Sequence, residues 1–122
     1  MKYFKDTDFA CKCCGLEVCT DDLKQLVDSI REELGLPLIV SSGFRCSKHN
    51  KEVGGVANSF HTKGLACDLR LTAKDNTKAN LAKLQAIARK LCTGGVGLYD
   101  SFVHVDVRGI EANWDYRSKA DD

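Results

Sequence analysis

Two stretches of strict alternation limit what this chain can build. In GLACDLRL, residues 64–71, Leu65, Cys67, Leu69 and Leu71 recur at every second position, and in FVHVDVR, residues 102–108, Val103, Val105 and Val107 do the same. Successive side chains of a strand point to opposite faces, so each stretch reads as a strand with one apolar face. The opposite faces carry Ala66, Asp68 and Arg70 in the first stretch and Phe102, His104, Asp106 and Arg108 in the second. If the two strands lie near each other with these faces aligned, Asp68 and His104 converge. The SFHTK segment before Asp68 can then bring in His61.

The rest of the chain supplies cover for the apolar faces. Thr20 can cap a helix whose first turn carries Asp21 and Asp22, where acids suit the helix dipole. Leu23, Leu26, Val27, Ile30 and Leu34 follow at helical spacing, and Gly35 and Pro37 end the element. LPLIVSS, residues 36–42, reads as a buried strand, and GFRCSKHNKEVGG as a loop with one helical turn. A second amphipathic helix is predicted from about Thr77 to Cys92, with Leu81, Leu84, Ile87 and Leu91 on one face, followed by Gly94 and Gly95. VGLYDSFVHVDVRG has the alternation of a strand or hairpin. The order helix, strand, loop, strand, helix, strands predicts an α+β fold with helices packed on a small, mainly antiparallel sheet. No repeat or linker divides the chain, and 122 residues suit one domain spanning 1–122.

Charge and cysteine content narrow the function. Eighteen Lys and Arg against 17 Asp and Glu give a formal charge of +1 without a basic stripe, which argues against nucleic acid as a partner. No apolar run approaches a membrane span, and the start, MKYFKDTDFACKCC, lacks the apolar core of a signal peptide. The expectation is a monomer, cytoplasmic on synthesis and without a membrane partner. Seven cysteines cannot all pair. Cys46, Cys67 and Cys92 are scattered and read as small buried hydrophobes, whereas Cys11, Cys13, Cys14 and Cys19 cluster. That cluster lacks the paired C-x2-C spacings of a zinc ribbon and reads as a compact thiol-containing loop, with a second, structural zinc as the alternative.

Two histidines and a carboxylate are a three-ligand set of the kind that catalytic zinc uses, the fourth position being left to water. A hydrolytic site of this type lowers the pKa of water to about 7 and polarises the carbonyl under attack. It also needs a carboxylate to move protons and a cation for developing negative charge. Asp106, two residues from His104 on the same strand face, is the first acid/base candidate, with Asp100 in reserve. Arg45 in SSGFRC is the candidate cation, because its planar fork suits paired oxygen contacts. Blander readings stand beside these: His61 as a hydrogen-bonded loop side chain, His104 as part of an ordinary half-buried strand, Arg45 and Asp106 as a surface pair. His49, in a polar stretch, reads as surface.

SFHTKGLACD resembles the S-x-H-x-x-G-x-A-x-D signature of the zinc D-Ala-D-Ala carboxypeptidase family, metallopeptidase family fifteen, which also holds VanX-type dipeptidases and phage endolysins. Ser59, His61, Gly64, Ala66 and Asp68 match it. The similarity runs upstream through SSGFRCSKHNKEVGGVANS and the N-terminal F-x-C-K-C-x-G element, and downstream to FVHVDVRG and Trp114. It implies a Hedgehog/DD-peptidase type of α+β fold, and one catalytic Zn2+ held by His61, Asp68 and His104. Arg45 corresponds to the family arginine near the scissile carbonyl. Ser59 corresponds to the serine beside the first ligand, which binds substrate or supports the ligand shell. Gly64 would permit a tight turn into the strand and Ala66 would leave room for metal and peptide. Many relatives place the acid/base carboxylate three residues before the second histidine, and here that position is Ser101. The implied activity is hydrolysis of peptidoglycan stem peptides, as a D,D-carboxypeptidase or an endolysin-type endopeptidase, reaching the wall by a route such as a phage holin. Two alternatives are a catalytically silent zinc domain that binds wall peptide and a small cysteine–zinc interaction module.

Overall fold

A computed structural model describes residues 1–118 of the chain. The helices are α1 (Asp21–Leu34), α2 (Ser47–Glu52) and α3 (Lys78–Leu91), and the strands are β1 (Leu38–Ser42), β2 (Ala66–Leu71), β3 (Gly95–Leu98), β4 (Val103–Asp106) and β5 (Ala112–Asp115). Short 3-10 turns cover Asp6–Phe9, Phe60–Lys63 and Ala73–Asp75. The strands form one sheet in the order β1-β2-β4-β3-β5, antiparallel except where β5 runs parallel to β3. This is the α+β architecture the element order predicts.

Local chemistry sets the helix ends. The Thr20 side chain accepts from Leu23 N, and Gly35 closes α1 at φ 72° with its N–H on the Arg31 carbonyl. Thr77 caps α3 in the same way through Asn80 N. Helix α3 lies against α1 and against β2, β3 and β4. Leu23, Val27, Ile30 and Leu84 meet Cys67, Leu69, Val96, Leu98, Val103 and Val105 in the core. Each of the larger of these contributes roughly 1.5–3 kcal/mol of hydrophobic stabilisation. The alternation therefore does what period two requires: Cys67, Leu69, Val103 and Val105 are fully buried, and Asp68 and His104 face the other way.

β5 has no counterpart in the sequence reading. ANWD alternates only Ala112 and Trp114 with polar residues, too short a pattern to mark a strand. The strand exists because β3 offers its outer edge, with Gly95, Val96, Gly97 and Leu98 pairing Ala112, Asn113, Trp114 and Asp115.

A single row of residues crosses the uncovered face of the sheet: Ser42, Asp68, His104, Gly97 and Trp114, each paired to the next. Gly97 is a close-approach position, because a Cβ there would run into the Trp114 indole. Gly97→Ala is therefore expected to push the indole off its place beside His104. It should destabilise by roughly 1–3 kcal/mol, the usual range for overpacking; a urea midpoint and tryptophan fluorescence would check both effects.

Candidate metal centre

His61 reaches the row from the Phe60–Lys63 turn. Ser59 caps this turn, its hydroxyl accepting from His61 N at 3.2 Å, and Gly64 closes it. Ser59 is buried and lines the same hollow as His61, Asp68 and His104. The His61 ring is 4% exposed, and its Nδ1 lies 2.9 Å from the Gly43 carbonyl. A carbonyl can only accept, so Nδ1 carries the proton and the Nε2 lone pair is left 3.3 Å from Asp68 Oδ1. From the other side, His104 Nδ1 lies 3.0 Å from the same oxygen. One donor atom each from His61, Asp68 and His104 thus falls within 4.8 Å of the others, a group able to hold a metal ion.

Asp106 lies on the far side of His104, and its placement contradicts an acid/base role. It is completely buried. Its Oδ2 accepts from His104 Nε2 at 2.8 Å and Arg108 Nη2 at 2.7 Å, and its Oδ1 accepts from Gly95 N, Arg108 N and Arg108 Nε. A carboxylate with both oxygens so occupied, behind the ring rather than beside the donor cluster, has no path to a substrate proton. Such a partner fixes ring orientation and tautomer. Ala66, expected to leave room for metal and peptide, is fully buried opposite Asp106. The reserve candidate is also misplaced: Asp100 is held by Ser118 N and Oγ, both at 2.7 Å, in a separate hollow shared with Asp115 and Arg117.

The donor cluster opens into a hollow of about 580 Å³ whose walls include Arg45, Val56, Phe60, Tyr99, Phe102 and Trp114. Arg45 reaches Asp68 Oδ2 at 3.3 Å while bonding Ser42 Oγ and Asn50 Oδ1. Asp68 is the one carboxylate among the described residues that line this hollow. Tyr99 and Trp114 join it through a 2.9 Å bond from the indole Nε1 to the phenol oxygen. The aromatic walls had no periodic signal to announce them, because they arrive from the Phe60–Lys63 turn, the connection between β3 and β4, and β5.

Charge is balanced within the cluster. Burial works against ionising Asp68, but the hydrogen bond from His104 holds it well below the usual carboxylate range. Asp106 is likewise held low, by His104, Arg108 and the Gly95 N–H acting against its burial. For His104 burial disfavours the charge, yet Asp106 and Asp68 outweigh it and raise the pKa above its ordinary value. In the metal-free protein, His104 therefore stabilises the fold fully below about pH 6.5, and the contribution is lost as pH rises through its raised folded pKa. The two aspartates contribute above about pH 3.9 and lose their effect as pH falls through their low folded values. Chelator-treated protein should accordingly show its highest Tm between about pH 4 and 6.5. Added zinc should reverse the upper slope, because the metal takes the place of the His104 proton; thermal melts across pH with and without zinc would check this.

A Haemophilus influenzae protein described as a probable peptidoglycan L,D-endopeptidase, MepK, is 36% identical over 95 residues, covering 70% of this chain and 48% of that protein. The chain thus spans about half the length of that curated relative. The family model described as Peptidase M15 matches residues 2–106, a range that takes in His61, Asp68, His104 and Asp106, and on that match the chain belongs to the peptidase M15 family.

Proposed function

We propose that this domain is a zinc-dependent endopeptidase that cuts peptide bonds within peptidoglycan stem peptides or their cross-links. The observation that carries the reading is the convergence of His61 Nε2 and His104 Nδ1 on Asp68 Oδ1 in a peptidase-family chain. The donor set fits a zinc ion by its chemistry: two ring nitrogens and a carboxylate, each ring fixed from behind, by Gly43 O and by Asp106. A zinc ion bound there supplies Lewis acidity, activating water and polarising the carbonyl.

The chain's own residues bind and orient the peptide. Phe60, Phe102 and Trp114 give the hollow apolar walls against which a substrate backbone can lie. Arg45, held in place by Ser42, Asn50 and Asp68, presents positive charge near the carbonyl oxygen as it becomes negative. Tyr99 accepts the Trp114 N–H, which leaves its own hydroxyl proton to donate to the departing amine, while the proton given up by the attacking water restores the phenol through solvent. Tyr99→Phe should lower kcat by roughly 100-fold or more with little change in KM, as steady-state kinetics on a defined muropeptide would measure.

Cleavage inside a chain is favoured over removal of a terminal residue because both arginines at the hollow are already committed to carboxylates, Arg45 to Asp68 and Arg108 to Asp106. Among the described residues lining the hollow, no unpaired guanidinium is left to hold a free terminal carboxylate. The name of the Haemophilus relative supports the same class of bond. The domain would act as a monomer on the wall, as in lysis or wall processing.

A second reading, a silent zinc domain that binds wall peptide, is favoured by the lack of a free carboxylate base among the described lining residues. Digestion of purified peptidoglycan by zinc-loaded protein, with mass analysis of the soluble fragments, separates the two. New internal amino termini support the endopeptidase. Fragments shortened by one terminal residue point to a carboxypeptidase, and intact muropeptides that nonetheless bind the protein point to the silent domain.

A further inference from the structure

The cysteines do not group as the sequence reading has them. Cys19 is buried against Cys67 and the Phe9 carbonyl, away from the cluster, and Cys46 joins Cys11 and Cys14 instead. The three sulfurs lie within 4.8 Å of one another. Cys11 and Cys14 form a C-x2-C pair that the overall count concealed, and the third thiol arrives from the loop after β1.

The segment from Cys11 to Gly15 is shaped around a sulfur. The Gly15 N–H bonds the Cys11 carbonyl and the Cys11 N–H bonds the Leu16 carbonyl, with Gly15 at φ 76°, a left-handed conformation that favours glycine. This turn aims the Cys13 and Cys14 N–H groups at Cys11 Sγ, and the Cys46 N–H joins them at 3.4 Å. Cys46 Sγ in turn accepts from His49 N at 3.4 Å. Burial opposes the Cys11 thiolate, and these N–H groups favour it. Cys13 and Cys14 are exposed and Cys46 is partly so, which is not how cysteines serving as core hydrophobes are placed.

We propose that Cys11, Cys14 and Cys46 hold a structural zinc ion, separate from the His61, Asp68 and His104 cluster, with Cys13 as the fourth ligand. Tetrahedral Zn–S bonds of about 2.3 Å put sulfurs roughly 3.8 Å apart. The three thiols therefore need to close by about 1 Å at most, and the Cys13 thiol already lies against that of Cys46. Binding releases the thiol protons to solvent.

The location gives this ion a purpose. Phe44 N donates to Phe9 O, and Cys46 N to Cys11 Sγ, so the N-terminal segment and residues 43–46 are strapped together. That same loop supplies the Gly43 carbonyl that orients His61, the Arg45 N–H that bonds the His61 carbonyl, and the Arg45 side chain on Asp68. A zinc ion among the thiols fixes this loop at Cys46, next to Arg45 in the candidate active site.

Titration of reduced, metal-free protein with cobalt(II) tests this directly. A near-ultraviolet thiolate-to-cobalt charge-transfer band should grow as cobalt is added and saturate by two equivalents, and disappear in Cys14→Ser and Cys46→Ser. His61→Ala/His104→Ala should keep the band and one equivalent of zinc by elemental analysis, against two for the wild type. Cobalt uptake by the wild type without a thiolate band overturns the proposal, whether or not any cysteine variant folds, because the other cluster has no sulfur ligand. A band that survives Cys46→Ser also overturns it. Failure here leaves the zinc count of the histidine cluster intact, so the two sites are judged separately.

Discussion

His61→Ala is expected to lose one equivalent of zinc and to reduce peptidoglycan hydrolysis by roughly 1,000-fold or more. The size follows from what the position holds. Lewis-acid activation contributes several kcal/mol, at about 1.4 kcal/mol per tenfold in rate. His61 is one of three donors converging at Asp68 Oδ1, and its loss leaves two, below the usual three protein ligands of catalytic zinc. Truncation also leaves the Gly43 carbonyl without its partner, a cost of about 1–3 kcal/mol if water does not replace it. Circular dichroism therefore has to accompany elemental analysis and the muropeptide assay. A folded variant that retains wild-type zinc and turnover would remove the histidine cluster from the mechanism.

The second large effect concerns Asp106. Asp106→Ala should cost roughly 3–5 kcal/mol of stability, the range for removing one partner of a buried charge pair, and so lower Tm by roughly 10–20 °C. The cause is visible in its bonds: Gly95 N, His104 Nε2 and three donors of Arg108 all lose their acceptor inside the protein. Zinc affinity should weaken by roughly 10–100-fold at the same time, because His104 loses the group that fixes its ring. These readouts separate positioning from acid/base catalysis. If Asp106 were the base, its loss would stop turnover while leaving zinc binding and the thermal midpoint nearly unchanged.

The sequence reading and the fold agree where local rules dominate. Thr20 and Gly35 bracket α1, Thr77 starts α3, and the alternation in β2 and β4 assigns Asp68 and His104 to one face. Period two carried those two residues into register, because antiparallel pairing then needed only the right offset for Asp68 to stand opposite His104. The same rule misled at Asp106. It shares the face of His104, but it stands at the last position of β4, where Gly95, Arg108 and His104 enclose the carboxylate. Asp100 was legible only as a nearby acid, and its contact with Ser118 comes from the chain beyond β5. Cys46 carried no local mark of joining Cys11 and Cys14, because 31 residues of chain separate Cys14 from Cys46.

By itself, the sequence determined the elements and their apolar faces, the identity of His61, Asp68 and His104 as a donor set, and through its motifs the peptidase family. These follow from side-chain periodicity and from residue types at fixed spacing, which are properties of the chain alone. The tertiary structure decided which carboxylate stands behind a histidine and which stands in front, which cysteines meet, and where β5 pairs. Those outcomes depend on burial and on hydrogen-bond partners from distant segments. Only packing sets both, because a carboxylate's role is fixed by what already occupies its oxygens.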